Sequence, residues 1–220
     1  MGEQVKAYFQ NDYVTLYQGN CLDYADVITS ADVLITDPPY GMSYISNSSL
    51  NGPSKEIAGD NDVNLRNNII ELWRGGGEKP ALIFGTWRVE RPMETKQLII
   101  WDKGDSPGMG DLSMPWGPAH EEIYVLGKGW KGKRRPNVYR VPTLAPSSKE
   151  RPNHPTPKPV PLMEQLIDYA PEGVIVDPFA GSGATLVAAQ NLNRKAIGIE
   201  IDEQYCELIA NRISQETLFG

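Results

Sequence analysis

Val174–Ala189 reads VIVDPFAGSGATLVAA, and this stretch decides the fold. It opens as an apolar, β-branched run that suits a strand buried on both faces. Asp177 closes the run, Gly181 and Gly183 make a tight turn, and an alanine-rich helix follows over Ala184–Leu192. A second apolar run, Ala196–Ile199, then ends in the sequence GIEID. Strand, glycine turn, helix, strand is the unit of a parallel α/β sheet. Working outward, further strand-like runs are Val14–Tyr17, Val33–Thr36, Leu82–Phe84, Leu98–Trp101, Ile123–Leu126 and Val174–Val176. Leu162, Met163, Leu166 and Ile167 recur at helical spacing, and Asp202 is placed to cap a helix carrying Tyr205, Leu208, Ile209 and Ile213. Seven strands with interspersed helices predict a doubly wound, Rossmann-like α/β sheet.

A glycine turn at the carboxyl end of a strand lets a ligand approach the backbone. Glu200 follows Asp177 by 23 residues, the offset at which an acid accepts hydrogen bonds from ribose hydroxyls. The dinucleotide fingerprint is nonetheless incomplete, because Leu186 stands where its third glycine belongs. Asp177 also puts an acid where a pyrophosphate would sit. The turn therefore favours a cationic or zwitterionic ligand, and adenosyl methionine, with its sulfonium and amino groups, meets that demand.

The run Val33–Thr36 leads into Asp37-Pro38-Pro39-Tyr40. Two prolines stiffen the chain and remove two N–H donors. What remains is a site rich in acceptors beside an aromatic ring, suited to a planar amine. The carboxylate and a carbonyl accept its two N–H groups, and Tyr40 stacks on its ring. Accepting both hydrogen bonds returns electron density to an otherwise poor nucleophile. The bland alternatives, a stiff turn here and an ordinary α/β turn at 177–183, lose ground because the two motifs coincide.

Asp37–Tyr40, Asp177–Gly183 and HPTPKP at 154–159 together resemble the DNA amino-methyltransferases. Their order is similar to that of the beta group, which includes restriction–modification and phage enzymes. The resemblance spans about Val14 to Ile213, with 102–153 unmatched in detail. It implies a seven-stranded mixed sheet with one antiparallel strand, of the S-adenosylmethionine-dependent type, with a small loop-rich target-recognition insertion. Asp37, Pro38, Pro39 and Tyr40 are implied to hold a flipped base during direct in-line methyl transfer. Asp177, Phe179, Gly181, Gly183 and the ribose acid Glu200 are implied to bind the cofactor. Gly19-Asn20-Cys21-Leu22 looks like the segment that cradles its adenine, where Asn20 departs from a common aspartate. Thr156 and Lys158 lie where the family grips the methionine carboxylate. A single domain over 1–220 follows, with a catalytic half at 1–101, recognition at 102–153 and a cofactor half at 154–220.

The implied activity is methylation of adenine N6 in a short double-stranded DNA site. Cytosine N4 is the alternative, with Asp37, rather than the serine common in cytosine enzymes, favouring adenine. A protein-glutamine methylase is disfavoured by motif order and by Asp37. A silent DNA-binding subunit is disfavoured by two intact motifs.

Composition sets the bounds. The 220 residues carry 21 basic and 28 acidic side chains, net −7, which excludes passive coating of nucleic acid. Residues 128–140, KGWKGKRRPNVYR, hold six basic residues and no acid; without them 15 basic face 28 acidic, net −13. Charge alone leaves this segment a solvated loop; because the resembled family places target recognition in this interval, the resemblance implies Lys128, Trp130, Lys131, Lys133, Arg134 and Arg135 as the DNA contacts. The other tryptophans, Trp73, Trp87, Trp101 and Trp116, are expected in the core. His120 is read as pocket-lining or structural, with Glu121 beside it; His154 is read as structural. Residues 41–64 read as a polar loop that closes over the base or is flexible. The segments 104–118, 127–136 and 142–161 read as loops. Two cysteines suit a reducing compartment, no zinc spacing occurs, and neither a signal h-region nor a membrane-length apolar run is present. A cytoplasmic protein of a bacterium or phage-infected host is expected, with a homodimer as the leaning carried from beta-group relatives.

Overall fold

A computed structural model describes residues 6–39, 63–75, 77–105, 108, 110–144, 152, 154 and 156–216. Chain order begins with β1 (Phe9–Gln10), β2 (Val14–Gln18), a 3-10 turn (Cys21–Tyr24), α1 (Ala25–Ser30) and β3 (Val33–Thr36). It continues with α2 (Val63–Arg74), β4 (Ala81–Gly85), β5 (Gln97–Asp102), β6 (His120–Leu126) and β7 (Val138–Arg140). The last part is α3 (Val160–Ile167), β8 (Ile175–Asp177), α4 (Ala184–Asn191), β9 (Ala196–Glu200) and α5 (Glu203–Glu216).

The strands form one nine-stranded sheet in the order β1-β2-β9-β8-β3-β4-β6-β5-β7. All seven runs expected from the sequence are strands in it. The two additional strands, β1 and β7, lie at its edges. Strands β2, β9, β8, β3 and β4 run parallel, β6 is antiparallel to both β4 and β5, and β1 is antiparallel to β2. The mixed α/β class holds, with nine strands rather than seven and two reversed strands rather than one. The interval 102–153 is not set apart from the sheet: β6 lies inside it and sits between β4 and β5. Residues 138–140 of the basic segment are strand, because Val138 and Arg140 pair with Ile100 and Asp102 of β5 while Tyr139 is buried.

Burial follows from strand alternation. Val33 and Ile35 of β3 point into one core with Leu162, Leu166, Leu186, Val187, Ile209 and Ile213 of α3, α4 and α5. Leu34 points into the other with Ile28, Ile69, Ile70 and Trp73 of α1 and α2. Both faces are covered, so β3 and β4 are buried along their whole length. Pro159 precedes α3, and Asp202 Oδ1 accepts from Gln204 N at 2.8 Å to open α5 as expected.

The fingerprint's missing third glycine has a replacement on the facing strand. That glycine normally lets helix and strand pack closely. Here Leu186 is fully buried on α4, and Gly198 of β9 makes the room: a Cβ at Gly198 would lie 2.5 Å from Leu186 Cδ1. Chain connectivity then defines a crevice. β3 is followed by β4 on one side, and β8 by β9 on the other, although β3 and β8 are neighbours. Ligands of doubly wound sheets bind at the carboxyl ends of strands at such a switch point.

Candidate active site

Asp37 follows β3 and Asp177 ends β8, so the two sequence motifs meet at the switch point. Pro38 is buried and Pro39 half-buried; Tyr40 lies outside the described residues, as does most of the 41–64 segment. Asp37 does not stand alone. Lys158 Nζ donates to Asp37 Oδ2 and lies 3.4 Å from Glu121 Oε2, and Lys103 Nζ lies 2.6 Å from Glu121 Oε1. Four alternating charges from four segments therefore run from the rim inward. The Lys158 side chain is only 9 % exposed, and its ammonium sits 5.1 Å from the centre of the Phe84 ring. Burial alone would lower its pKa, but the Asp37 and Glu121 carboxylates outweigh it and hold the ammonium charged. Glu121 is likewise pushed up by burial and pulled below its ordinary value by Lys158 and Lys103.

The sequence reading put Lys158 on a cofactor carboxylate; in the structure its partners are Asp37 and Glu121. Glu121 reaches the site because β6 is reversed. Its first residues stand at the end of β4 where Gly85 pairs with Glu122, which is the end of the sheet that carries Asp37.

Asp177, at the end of β8, has three protein partners. It is 3 % exposed. Its carboxylate accepts from Thr36 Oγ1 at 2.7 Å, Thr185 Oγ1 at 2.6 Å and Phe179 N at 3.2 Å. Its bonds thus tie β3, β8 and α4 together, and it does not face a ligand as an open charge. Burial, only partly offset by those bonds, raises its pKa to about 6. The turn beyond it is built on two glycines. Gly181 and Gly183 have φ of +53° and +79°, left-handed values that favour glycine. A Cβ at Gly183 would come within 2.8 Å of Ile209 Cγ1. Glu200 Oε2 accepts from Gly181 N at 2.8 Å and Oε1 from Asp202 N at 2.9 Å, fixing the acid against the turn. His154 packs on the outside of the turn, 4.8 Å from the Tyr205 ring, and its Nδ1 accepts from Thr156 N at 3.2 Å. That matches its structural reading. Thr156 is exposed.

Gly19 joins this row, its N–H donating to Glu200 O at 2.9 Å. Asn20 Oδ1 accepts from Leu22 N at 3.0 Å and opens the 3-10 turn. Cys21 is buried, and burial raises its thiol to about 11. Phe179 is half-buried against the core beside α1 and α2. The structure thus brings Asn20, Cys21, Phe179, Gly181, Gly183 and Glu200 together along the carboxyl ends of β2, β9 and β8.

The basic segment lies at the other end of the sheet. Leu126, the last residue of β6, pairs with Ala81, the first of β4, at the far end of the sheet from Asp37. Just beyond it, Lys128 N bonds Glu78 O and Lys131 N bonds Tyr169 O. Lys128 pairs with Glu78, Lys131 with Glu172 at 3.3 Å, and Arg135 stacks 4.1 Å from the Tyr139 ring. Trp130 is half-buried, its Nε1 donating to Leu126 O at 3.1 Å. Lys133 and Arg134 are exposed between these anchors. Reversal of β6 thus carries Lys128–Arg135 away from the site.

Two tryptophans expected in the core are instead at the site end. Trp87 is 71 % and Trp116 77 % exposed, whereas Trp73 and Trp101 are buried. Trp87 follows β4 directly, and Trp116 lies on the β5–β6 connection; both connections leave the sheet at the Asp37 end. The hydroxyl and N–H of Ser113, with Arg88 acting across from the other connection, hold the Asp111 carboxyl below its usual range. The guanidinium of Arg88 lies 5.3 Å from the Trp87 ring. No motif in the sequence marked these positions.

A doubly wound sheet with an acceptor-rich carboxylate and a glycine turn at its switch point defines a Rossmann-like ligand-binding enzyme fold. Comparison with known proteins narrows the class. A family model described as DNA methylase matches residues 73–212, more than half of the chain. The Type II methyltransferase M2.LlaDCHI of Lactococcus lactis subsp. cremoris is 34% identical, over 98% of this chain and 94% of its own. The Type II methyltransferase M2.MboI of Moraxella bovis is 27% identical, over 97% and 93%. Among solved structures, an M1.HpyAVI–SAM complex superposes with a TM-score of 0.64 at 22% identity, over 91% of this chain and 98% of that one. The PvuII cytosine-N4-specific DNA methyltransferase gives 0.67 at 16% identity, over 94% and 88%; at such identities these two speak for the fold. The chain belongs to the DNA methylase family and is a DNA methyltransferase of the N6/N4 group. Among the described residues no helix is long and apolar enough to cross a membrane.

Proposed function

We propose that this chain methylates the N6 amine of adenine in a short double-stranded DNA site, using S-adenosylmethionine. The observation that carries the reading is that Asp37, charge-paired with Lys158, ends the strand beside the one that enters the glycine turn. An acceptor-only carboxylate thus lies next to a glycine turn at the switch point, the place where doubly wound sheets hold nucleoside ligands. S-adenosylmethionine, when bound, supplies a methyl group made electrophilic by its sulfonium.

The chain's own residues do the rest. Gly181 and Gly183 shape the turn for the cofactor, Glu200 serves the ribose hydroxyls, and Asn20, Cys21, Phe179 and Thr156 are the further cofactor contacts in this reading. Asp37 and a carbonyl of the Pro38–Pro39 pair accept the two N–H groups of a flipped base. Pro38 and Pro39 add no competing donors, and Tyr40 stacks on the ring. Flipping costs a few kcal/mol, which contacts at the rim help to offset. The rim residues suited to that are Trp87, Arg88 and Trp116, since an aromatic wedge can fill the space a base vacates.

Adenine is favoured over cytosine because Asp37 stands where the cytosine-N4 enzymes commonly carry serine. A cytoplasmic location, a homodimer and one functional unit over 1–220 complete the reading. The test is incubation with unmodified plasmid and labelled S-adenosylmethionine, followed by sequencing with modification detection. Label at N6 of adenine in one short site supports the proposal. Label at cytosine N4 replaces adenine by cytosine, and an absence of label overturns it.

A further inference from the structure

We propose that Glu121, held by Lys103, is a positioning residue for methyl transfer, setting how Lys158 shares its ammonium with Asp37. This rests on the function proposed above. The Lys158 ammonium has three donors on a flexible stem and is nearly buried. Asp37, with a quarter of its side chain exposed, stands on the rim side of it, and Glu121 is its other carboxylate partner. Asp37 must accept N–H groups from the target amine, and an ammonium given wholly to Asp37 would occupy the same lone pairs. The ammonium bonds Asp37 Oδ2 while Glu121 Oε2 faces it at 3.4 Å, so the second carboxylate competes for the same charge and sets how firmly Asp37 holds it. Lys103 in turn fixes Glu121 at 2.6 Å, with its own ammonium 5.0 Å from the buried Trp101 ring.

The device joins the end of β5, the start of β6, the approach to α3 and the end of β3. It holds two positive and two negative charges, so it is neutral as a unit. In this arrangement Lys103 acts only through Glu121, and Glu121 only through Lys158. Such coupling leaves a signature that a general loss of stability does not: the effects of the two substitutions do not multiply.

The experiment measures kcat, KM for DNA and cofactor affinity for Glu121→Gln, Lys103→Met and the double variant, each checked by thermal unfolding. Glu121→Gln should lower kcat by about tenfold with cofactor affinity within about twofold of wild type. Lys103→Met should lower kcat less, and the double variant should be no slower than Glu121→Gln alone. A kcat for Glu121→Gln within twofold of wild type overturns the inference, and so do losses that multiply in the double variant. Should Glu121→Gln fail to fold, Lys103→Met decides: a lowered kcat in a folded protein supports the inference, and an unchanged one overturns it. A wild-type protein that methylates no DNA would instead defeat the proposed function.

Discussion

Thr36 Oγ1 donates a 2.7 Å hydrogen bond to Asp177 Oδ1, joining the last residue of β3 to the last residue of β8. The bond closes the switch point from beneath, so the catalytic and glycine motifs share one support. It also sets a pH dependence. Asp177 titrates near 6, against about 3.9 for an ordinary aspartate. The folded carboxyl holds its proton more tightly than the unfolded one, so folding takes up a proton between about pH 4 and 6. Stability falls as pH rises through that window, by about 3 kcal/mol from this group. Denaturant unfolding at a series of pH values should show Asp177→Asn lacking that decline relative to wild type. Parallel pH profiles for the two proteins would count against the assignment.

Gly198 is expected to tolerate no side chain. A Cβ there meets Leu186 on α4, a fully buried leucine with nowhere to move. Gly198→Ala should destabilise the fold by about 1–3 kcal/mol, read as a lower denaturation midpoint with an unchanged slope. Leu186→Ala, itself destabilising, should cost less in the Gly198→Ala background than in the wild type, since the new methyl fills part of the space it empties.

DNA binding should depend on the rim and not on the basic segment. Replacing Lys128, Lys131 and Lys133 together by Ala should leave both DNA affinity and its salt dependence unchanged, because these residues stand at the far end of the sheet. Replacing Arg88 and Trp116 by Ala should weaken binding, and loss of the Arg88 phosphate contact should reduce the salt slope by up to ~0.9. Fluorescence anisotropy across a salt series reads both. The reverse pattern would restore Lys128–Arg135 as the DNA contact.

Sequence carried the repeating local pattern well. The apolar, partly β-branched runs became β2, β3, β4, β5, β6, β8 and β9; β3 and β4, covered on both faces, are apolar almost throughout. β1 and β7 escaped notice for lack of length, two and three residues, and β7 buries only Tyr139 within a basic run. The motifs at Asp37 and Gly181 were legible because backbone chemistry requires proline and glycine there. Strand direction was not. Only the reversal of β6 puts Glu121 in the site and carries Lys128–Arg135 out of it, and no local residue pattern reports that reversal. The Lys158–Asp37 pair spans 121 residues and is likewise a product of topology. Trp87 and Trp116 defeated the rule that large aromatics are buried, since both connections carrying them project past the sheet.

In the proposed function, Asp37 holds the amine that is methylated. Its most direct test compares the wild type with Asp37→Asn on unmodified plasmid DNA and labelled S-adenosylmethionine, with cofactor affinity measured separately by calorimetry. Asparagine preserves the shape but loses the charge and offers N–H groups where acceptors are needed. The expected result is N6-methyladenine from the wild type, a loss of about 10²–10³ in rate for Asp37→Asn, and cofactor binding within about twofold of wild type. An Asp37→Asn variant that methylates at the wild-type rate would contradict it.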